Sequence, residues 1–182
     1  KALIHLARPS TPCGDSQKFT SMDYGCWSGK WSKELIDISD CLISVDMYTK
    51  PREIIEKRHH LYADKNNCSL EYYITQGDEL RGLGDKTVDF IFSQDSLVRT
   101  PNKVLVTLIK EFHRVLKNNG TCLINVSPQA QDFFANRYSI PSSSNWSVTQ
   151  LYATDVNVNS RLNGPRGTGA SCYLGLKKEL NK

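Results

Sequence analysis

Asp23-Tyr24-Gly25-Cys26-Trp27-Ser28-Gly29-Lys30-Trp31 is the stretch on which the fold turns. Its two glycines follow a short strand candidate, Phe19 to Met22, and Trp31, Leu35 and Ile38 then open a helix with one apolar stripe. Glycine lets a backbone turn tightly and approach a ligand closely. The start of a helix adds N–H groups that have no intrahelical partners. Thr20 and Ser21 are polar for a central strand, so that strand is assigned from its place before the loop rather than from its own pattern.

Downstream, short apolar runs alternate with amphipathic segments, the pattern of helices layered on a mostly parallel sheet. Leu42 to Val45 reads as a strand ending at Asp46. Pro51 suits the first turn of a helix whose apolar stripe is Ile54, Ile55, Leu61 and Tyr62. Leu70 to Thr75 is a further strand, stopped by Gly77-Asp78, and Val88 to Phe92 is a buried one. After Pro101 comes a helix with Val104, Leu105, Leu108, Ile109, Phe112, Val115 and Leu116 on one face, ended by Asn119-Gly120. Cys122 to Val126 is the next strand, and Phe133 and Phe134 fall on a short helix.

Trp146 to Ala153 and Ser171 to Leu176 read as two strands joined by a long loop, Asp155 to Gly169. With no helix between them they form an antiparallel hairpin at the sheet edge. The expected architecture is therefore α/β: a doubly wound, mostly parallel seven-stranded sheet with an antiparallel C-terminal edge hairpin. One domain is expected over 1–182, with an extension at 1–18, a core at 19–127, and acceptor-side loops and edge strands at 128–182.

Composition narrows the class. With 39% hydrophobic and 23% charged residues, the chain falls in the globular range, not with disordered chains. No apolar run reaches the roughly 20 residues of a membrane-spanning helix, and Lys1 to Ala7 lacks the apolar core of a signal peptide. The net charge of +4 is spread along the chain without a basic stripe, which argues against a nucleic-acid partner. The cysteines, Cys13, Cys26, Cys41, Cys68, Cys122 and Cys172, form no CxxC pair and no metal-spaced cluster with histidine. Reduced thiols in a cytoplasmic protein are the expectation.

The chemistry concentrates at strand ends. Asp46 comes 17 residues after Gly29, at the end of the next strand. A carboxylate there accepts hydrogen bonds from the two hydroxyls of a ribose; it equally suits the N-terminal pole of the helix that begins near Pro51. The third strand is followed by Asp78 and the fourth ends in Ser93-Gln94-Asp95-Ser96. Polar groups at successive C-terminal strand ends converge on one crevice in an open α/β sheet.

Taken together, Asp23-x-Gly25-x-Trp27-x-Gly29, Asp46, Gly77-Asp78, Val88-Asp89-Phe90-Ile91-Phe92 and Leu116-Lys117-Asn118-Asn119-Gly120 resemble class I S-adenosylmethionine-dependent methyltransferases over residues 19 to 127. The resemblance implies S-adenosyl-L-methionine as cofactor and assigns roles by position. Asp23 meets the methionine ammonium directly or through water, and Gly25, Trp27 and Gly29 form the loop beneath the methionine part. Asp46 holds the ribose hydroxyls, Met47 packs on the adenine, and Asp78 with the Glu79 backbone meets the adenine amino group. Ser93 to Asp95 face the sulfonium. Asp95 and Arg99 are the candidate catalytic residues, Asp95 as base or as a stabiliser of positive charge.

There are two departures: Trp27 stands where the family commonly has glycine, and Arg99 where relatives with a similar Ser-x-Asp-Ser-Leu-Val stretch often have histidine. His59, His60 and His113 lie on helices away from the strand ends and read as structural. A sulfonium is already an activated methyl donor, so positioning does much of the catalysis. Ser127-Pro128-Gln129, Arg161 and Arg166 fall on the acceptor side, and the two arginines suit an anionic group. A small-molecule acceptor, methylated on a hydroxyl, is expected.

Three alternatives stay open. A domain of this fold that binds the cofactor or a partner without catalysis is one, and a methyltransferase acting on RNA or protein is another. The third, a dinucleotide oxidoreductase, lacks its G-x-G-x-x-G fingerprint.

Overall fold

The computed structural model describes residues 4–5, 8–13, 17–134, 146–153 and 172–178. Its strands are β1 (Thr20–Tyr24), β2 (Cys41–Asp46), β3 (Ser69–Ile74), β4 (Val88–Ser93), β5 (Leu116–Val126), β6 (Trp146–Ala153) and β7 (Cys172–Lys178). Its helices are α1 (Ser32–Ile36), α2 (Lys50–Lys65), α3 (Asn102–Val115) and α4 (Pro128–Asp132). The strands lie side by side in the order β3-β2-β1-β4-β5-β7-β6. The first five of these are mutually parallel, whereas β7 runs antiparallel to both β5 and β6. A mostly parallel α/β sheet with antiparallel C-terminal strands is thus the architecture, as the alternation of apolar runs indicated.

Alternation along the strands sends the two faces to different helices. Met22, Tyr24, Ile43, Val45 and Ile91 pack with Leu105, Leu108, Ile109 and Phe112 of α3. On the other face Phe19, Leu42, Phe90, Phe92 and Leu123 pack with Leu35 and Ile36 of α1, Ala63 of α2, and Ile4. β4 is buried along its whole length, as a central strand covered on both faces must be.

Four local expectations are corrected. β1 extends to Tyr24, so Asp23 is a strand residue and the loop begins at Gly25. The buried side of α2 is Pro51, Ile55, His59 and Ala63, an i, i+4 row, while Leu61 is 82% exposed. Counting only apolar residues hid that row, because its third member is a histidine.

The helix after Pro101 ends at Val115, and Leu116 already belongs to β5. Asn119, with φ +65°, and Gly120 shape an irregularity inside that strand rather than a helix end. Val88 faces Leu116 and Phe90 faces Thr121, so the extra β5 residues bulge opposite Asp89. The last strand, expected over Ser171 to Leu176, is found at Cys172–Lys178. The Ser-rich stretch 141–145 and the loop 155–169 lie outside the described residues.

The bulge has a chemical reason. Asp89 is fully buried and accepts from the backbone N–H of Cys13 at 2.6 Å and of Thr20 at 2.8 Å. The displaced Lys117 brings its Nζ to 2.8 Å from the same carboxylate. A buried carboxylate needs such partners to offset its lost hydration.

Candidate functional site

The parallel strands run outward in both directions from a β1–β4 pair. β2 and β3 lie on one side, β5 on the other. At such a reversal the connections leave a crevice at the C-terminal strand ends. A cleft of about 420 Å³ sits there, within the range of small-molecule sites. The sequence-predicted Gly25, Trp27, Asp46, Met47 and Asp95 line it together, alongside Gln94 and Gly77.

The loop after β1 is shaped by its glycines. Gly25 has φ +72°, and a Cβ on it would lie 2.3 Å from Ser96 Cβ, so both conformation and space exclude a side chain. Its N–H donates to the Val45 carbonyl at 2.8 Å. Gly29, with φ +69°, has its carbonyl 2.9 Å from His59 Nε2, and a Cβ there would lie 2.8 Å from Ile55 Cγ1. His59 therefore supports the loop from α2, in keeping with a structural reading.

Asp46 is tied on each oxygen. Oδ2 accepts from the Trp27 N–H at 3.0 Å and Oδ1 from the Tyr48 N–H at 3.2 Å. Each oxygen keeps acceptor capacity beyond that bond, which is the donor–acceptor chemistry two ribose hydroxyls need. Trp27 adopts φ +42°, unusual for a large residue. Its indole is 55% exposed at the rim, meeting Tyr48 edge-on at 6.4 Å, and does not fill the hollow. Exposed Met47 stands beside Gly77, whose carbonyl accepts from the Tyr24 hydroxyl at 2.6 Å.

Asp23 is placed deeper than the loop. It is 3% exposed, accepts from Ser32 Oγ at 3.0 Å, and is outside the cleft lining. Burial, opposed by that hydrogen bond and reinforced by the Asp46 charge, pushes its carboxyl up to about 7. Ser93 is fully buried and meets Ser96 Oγ at 2.7 Å, which places it behind the wall. Asp78 and Glu79 follow Gly77 on the Asp46 side but do not line the cleft; Glu79 pairs with Arg81 at 2.6 Å. Arg99 is exposed and outside the lining, and so is Gly29. Arg161 and Arg166 are outside the described residues.

Ser96, at the polar end of β4 read from the sequence, lines the cleft, and so do Tyr24, Tyr48, Thr75, Leu97 and Thr100, which sequence reasoning missed. Tyr24 was legible in principle: Met22 and Tyr24 alternate with polar Ser21 and Asp23, which extends the strand by two residues. The Gly77–Leu83 segment is held by Arg114, which donates to the Leu80 and Leu83 carbonyls at 3.0 and 2.8 Å, and by Glu111, which accepts from the Leu80 N–H at 2.9 Å. Among the described residues no His, Cys, Asp and Glu side chains gather as a metal site. No helix among them is long and apolar enough to cross a membrane.

Comparison with known proteins places the chain by family and by fold. A family model described as a methyltransferase domain matches residues 22–124. No curated protein matches. Among solved structures, an S-adenosylmethionine-dependent methyltransferase from Methanosarcina mazei is 15% identical with a TM-score of 0.70, covering 100% of this chain and 99% of that one. An rRNA methylase from Streptococcus thermophilus is 11% identical with a TM-score of 0.66, covering 98% and 93%. The [4+2]-cyclase SpnF is 10% identical with a TM-score of 0.68, covering 99% and 80%. At these identities the likeness is one of fold.

Proposed function

The chain belongs to the methyltransferase-domain family, with S-adenosyl-L-methionine as its cofactor, and from that premise we propose that it transfers the cofactor's methyl group to a small-molecule hydroxyl. The carrying observation is that one cleft gathers the β1 glycine loop, the Asp46 carboxylate and the Asp95 carboxylate from three strand ends. In this reading Asp46 takes the ribose hydroxyls, and Met47 and the Gly77-Asp78-Glu79 turn flank the adenine. Gly25, Trp27 and Gly29 pass beneath the methionine part, and buried Asp23 supplies the counter-charge for its ammonium from below. Ser93 sets the turn that aims Gln94 and Asp95 at the sulfonium. The cofactor supplies an activated methyl group, and the protein holds it in line with the acceptor.

Asp95 is the candidate base for a protonated hydroxyl. It lies in the cleft wall at φ +63°, a conformation that surrounding structure must hold in place. One domain over 1–182 is part of the reading: the core at 19–127 holds the cofactor, and 128–182 closes the acceptor side. A second reading, cofactor binding without transfer, is favoured by Arg99, which is outside the cleft and supplies no base there.

Methyl-labelled S-adenosylmethionine incubated with panels of small hydroxyl acceptors, RNA and protein tests the proposal. Label on a small hydroxyl acceptor, with transfer slowed at least tenfold by Asp95→Ala at saturating cofactor, is the expected result. Label on RNA or protein alone would replace the acceptor class, and cofactor binding with no transfer to any panel would favour the second reading.

A further inference from the structure

Gln94 joins three elements at the cleft wall. Its Nε2 donates to Asp95 Oδ1 at 2.7 Å and approaches Asn125 Oδ1 at 3.4 Å, while its Oε1 accepts from the Tyr173 hydroxyl. Asn125 of β5 and Tyr173 of β7 face one another in register, so the antiparallel pairing delivers both groups to the end of β4. The amide's orientation follows from chemistry: a carboxylate can only accept, so the NH₂ must face Asp95, and the carbonyl is left for the phenol. Gln94 and Asp95 both line the cleft, with Asp95 in the left-handed region.

We propose that Gln94, clamped by Tyr173, is a positioning residue that holds the Asp95 carboxylate toward the cleft, so that the site favours the cationic sulfonium over its neutral thioether product. The inference rests on the cleft being the S-adenosylmethionine site. A carboxylate near a sulfonium stabilises S-adenosylmethionine and does nothing comparable for S-adenosylhomocysteine, which lacks that charge. After transfer that electrostatic attraction is gone, which favours exchange of the neutral product for fresh cofactor. Neither Gln94 nor Tyr173 carries charge, so the effect of their variants on the ligand ratio is expected to depend on the Asp95 carboxylate they orient.

Calorimetric titration of both ligands gives the ratio of the S-adenosylhomocysteine to the S-adenosylmethionine dissociation constant. Asp95→Asn is expected to lower that ratio about fivefold, Gln94→Leu about threefold and Tyr173→Phe about twofold. In the Asp95→Asn background Gln94→Leu should change the ratio no further, the non-additivity expected of residues acting as one unit. A merely structural glutamine would weaken both ligands alike and leave the ratio intact. Tyr173→Phe, which removes a single hydroxyl, carries the same test should Gln94→Leu fail to fold.

An unchanged ratio in Asp95→Asn, or in both clamp variants, would overturn the proposal while leaving the cofactor site standing. So would an equal drop for Gln94→Leu with and without Asp95. Binding of neither ligand by the wild type would overturn the cofactor reading and this one with it.

Discussion

Asp23 has a carboxyl whose burial raises it to about 7, against 3.8 for an open chain. The folded state therefore holds that proton more tightly than the unfolded chain does. The sign follows: Asp23 contributes most stability below about 4, and loses it as pH rises through 7. Asp23→Asn should raise the stability of the ligand-free protein by roughly 1–4 kcal/mol at pH 8 and by almost nothing near pH 4. Thermal denaturation across pH measures this; a pH-independent difference would contradict it. A cationic ligand reverses the preference, so wild-type affinity for S-adenosylmethionine should climb through pH 7 and lose that slope in Asp23→Asn.

Asp46→Asn keeps its shape but loses charge-assisted acceptance, and cofactor affinity should fall roughly 10–100-fold by calorimetry. Equal affinity would remove Asp46 from the site. The acidic strand tips were legible because each comes within four residues of the end of an apolar run, Asp46 directly after Val45, Asp95 three after Phe92 and Asp78 four after Ile74. The Gln94–Tyr173 contact was not, since it spans 79 residues and exists only once β7 is registered on β5.

Elements show where pattern reading succeeds and where it fails. α3 was read almost residue for residue, because its buried Leu105, Leu108, Ile109, Phe112 and Val115 are all apolar and repeat at helical spacing. α2 misled because its buried row includes Pro51 and His59. Ile55→Ala should cost roughly 2–4 kcal/mol in urea unfolding, while Leu61→Lys should stay within about 0.5 kcal/mol. The reverse ordering would restore the stripe read from apolar residues alone. Gly25→Ala meets Ser96 and an unfavourable φ together, and should destabilise by roughly 2–4 kcal/mol while abolishing saturable cofactor binding.

At the scale of the whole molecule, the Asp89 carboxylate joins β4, the β5 bulge and the segment before β1 through Lys117, Cys13 and Thr20. That connection was invisible in the sequence, where Val88-Asp89-Phe90 reads as one polar interruption of a strand. The doubly wound, mostly parallel sheet with helices on both faces was legible, because alternating apolar runs and helices leave few topologies; the strand order and its reversal between β1 and β4 emerge only in the structure.

In the function proposed, this reversal forms a nucleoside-shaped cleft specific for S-adenosylmethionine. Thermal shift with S-adenosylmethionine or NADH, on the wild type and Asp46→Ala, tests it most directly. S-adenosylmethionine at about 100 times its dissociation constant should stabilise the wild type by about 2.7 kcal/mol, and Asp46→Ala by no more than about 1.4 kcal/mol at the same concentration. Stabilisation by NADH but not by S-adenosylmethionine, or equal stabilisation of the Asp46 variant, would contradict the account.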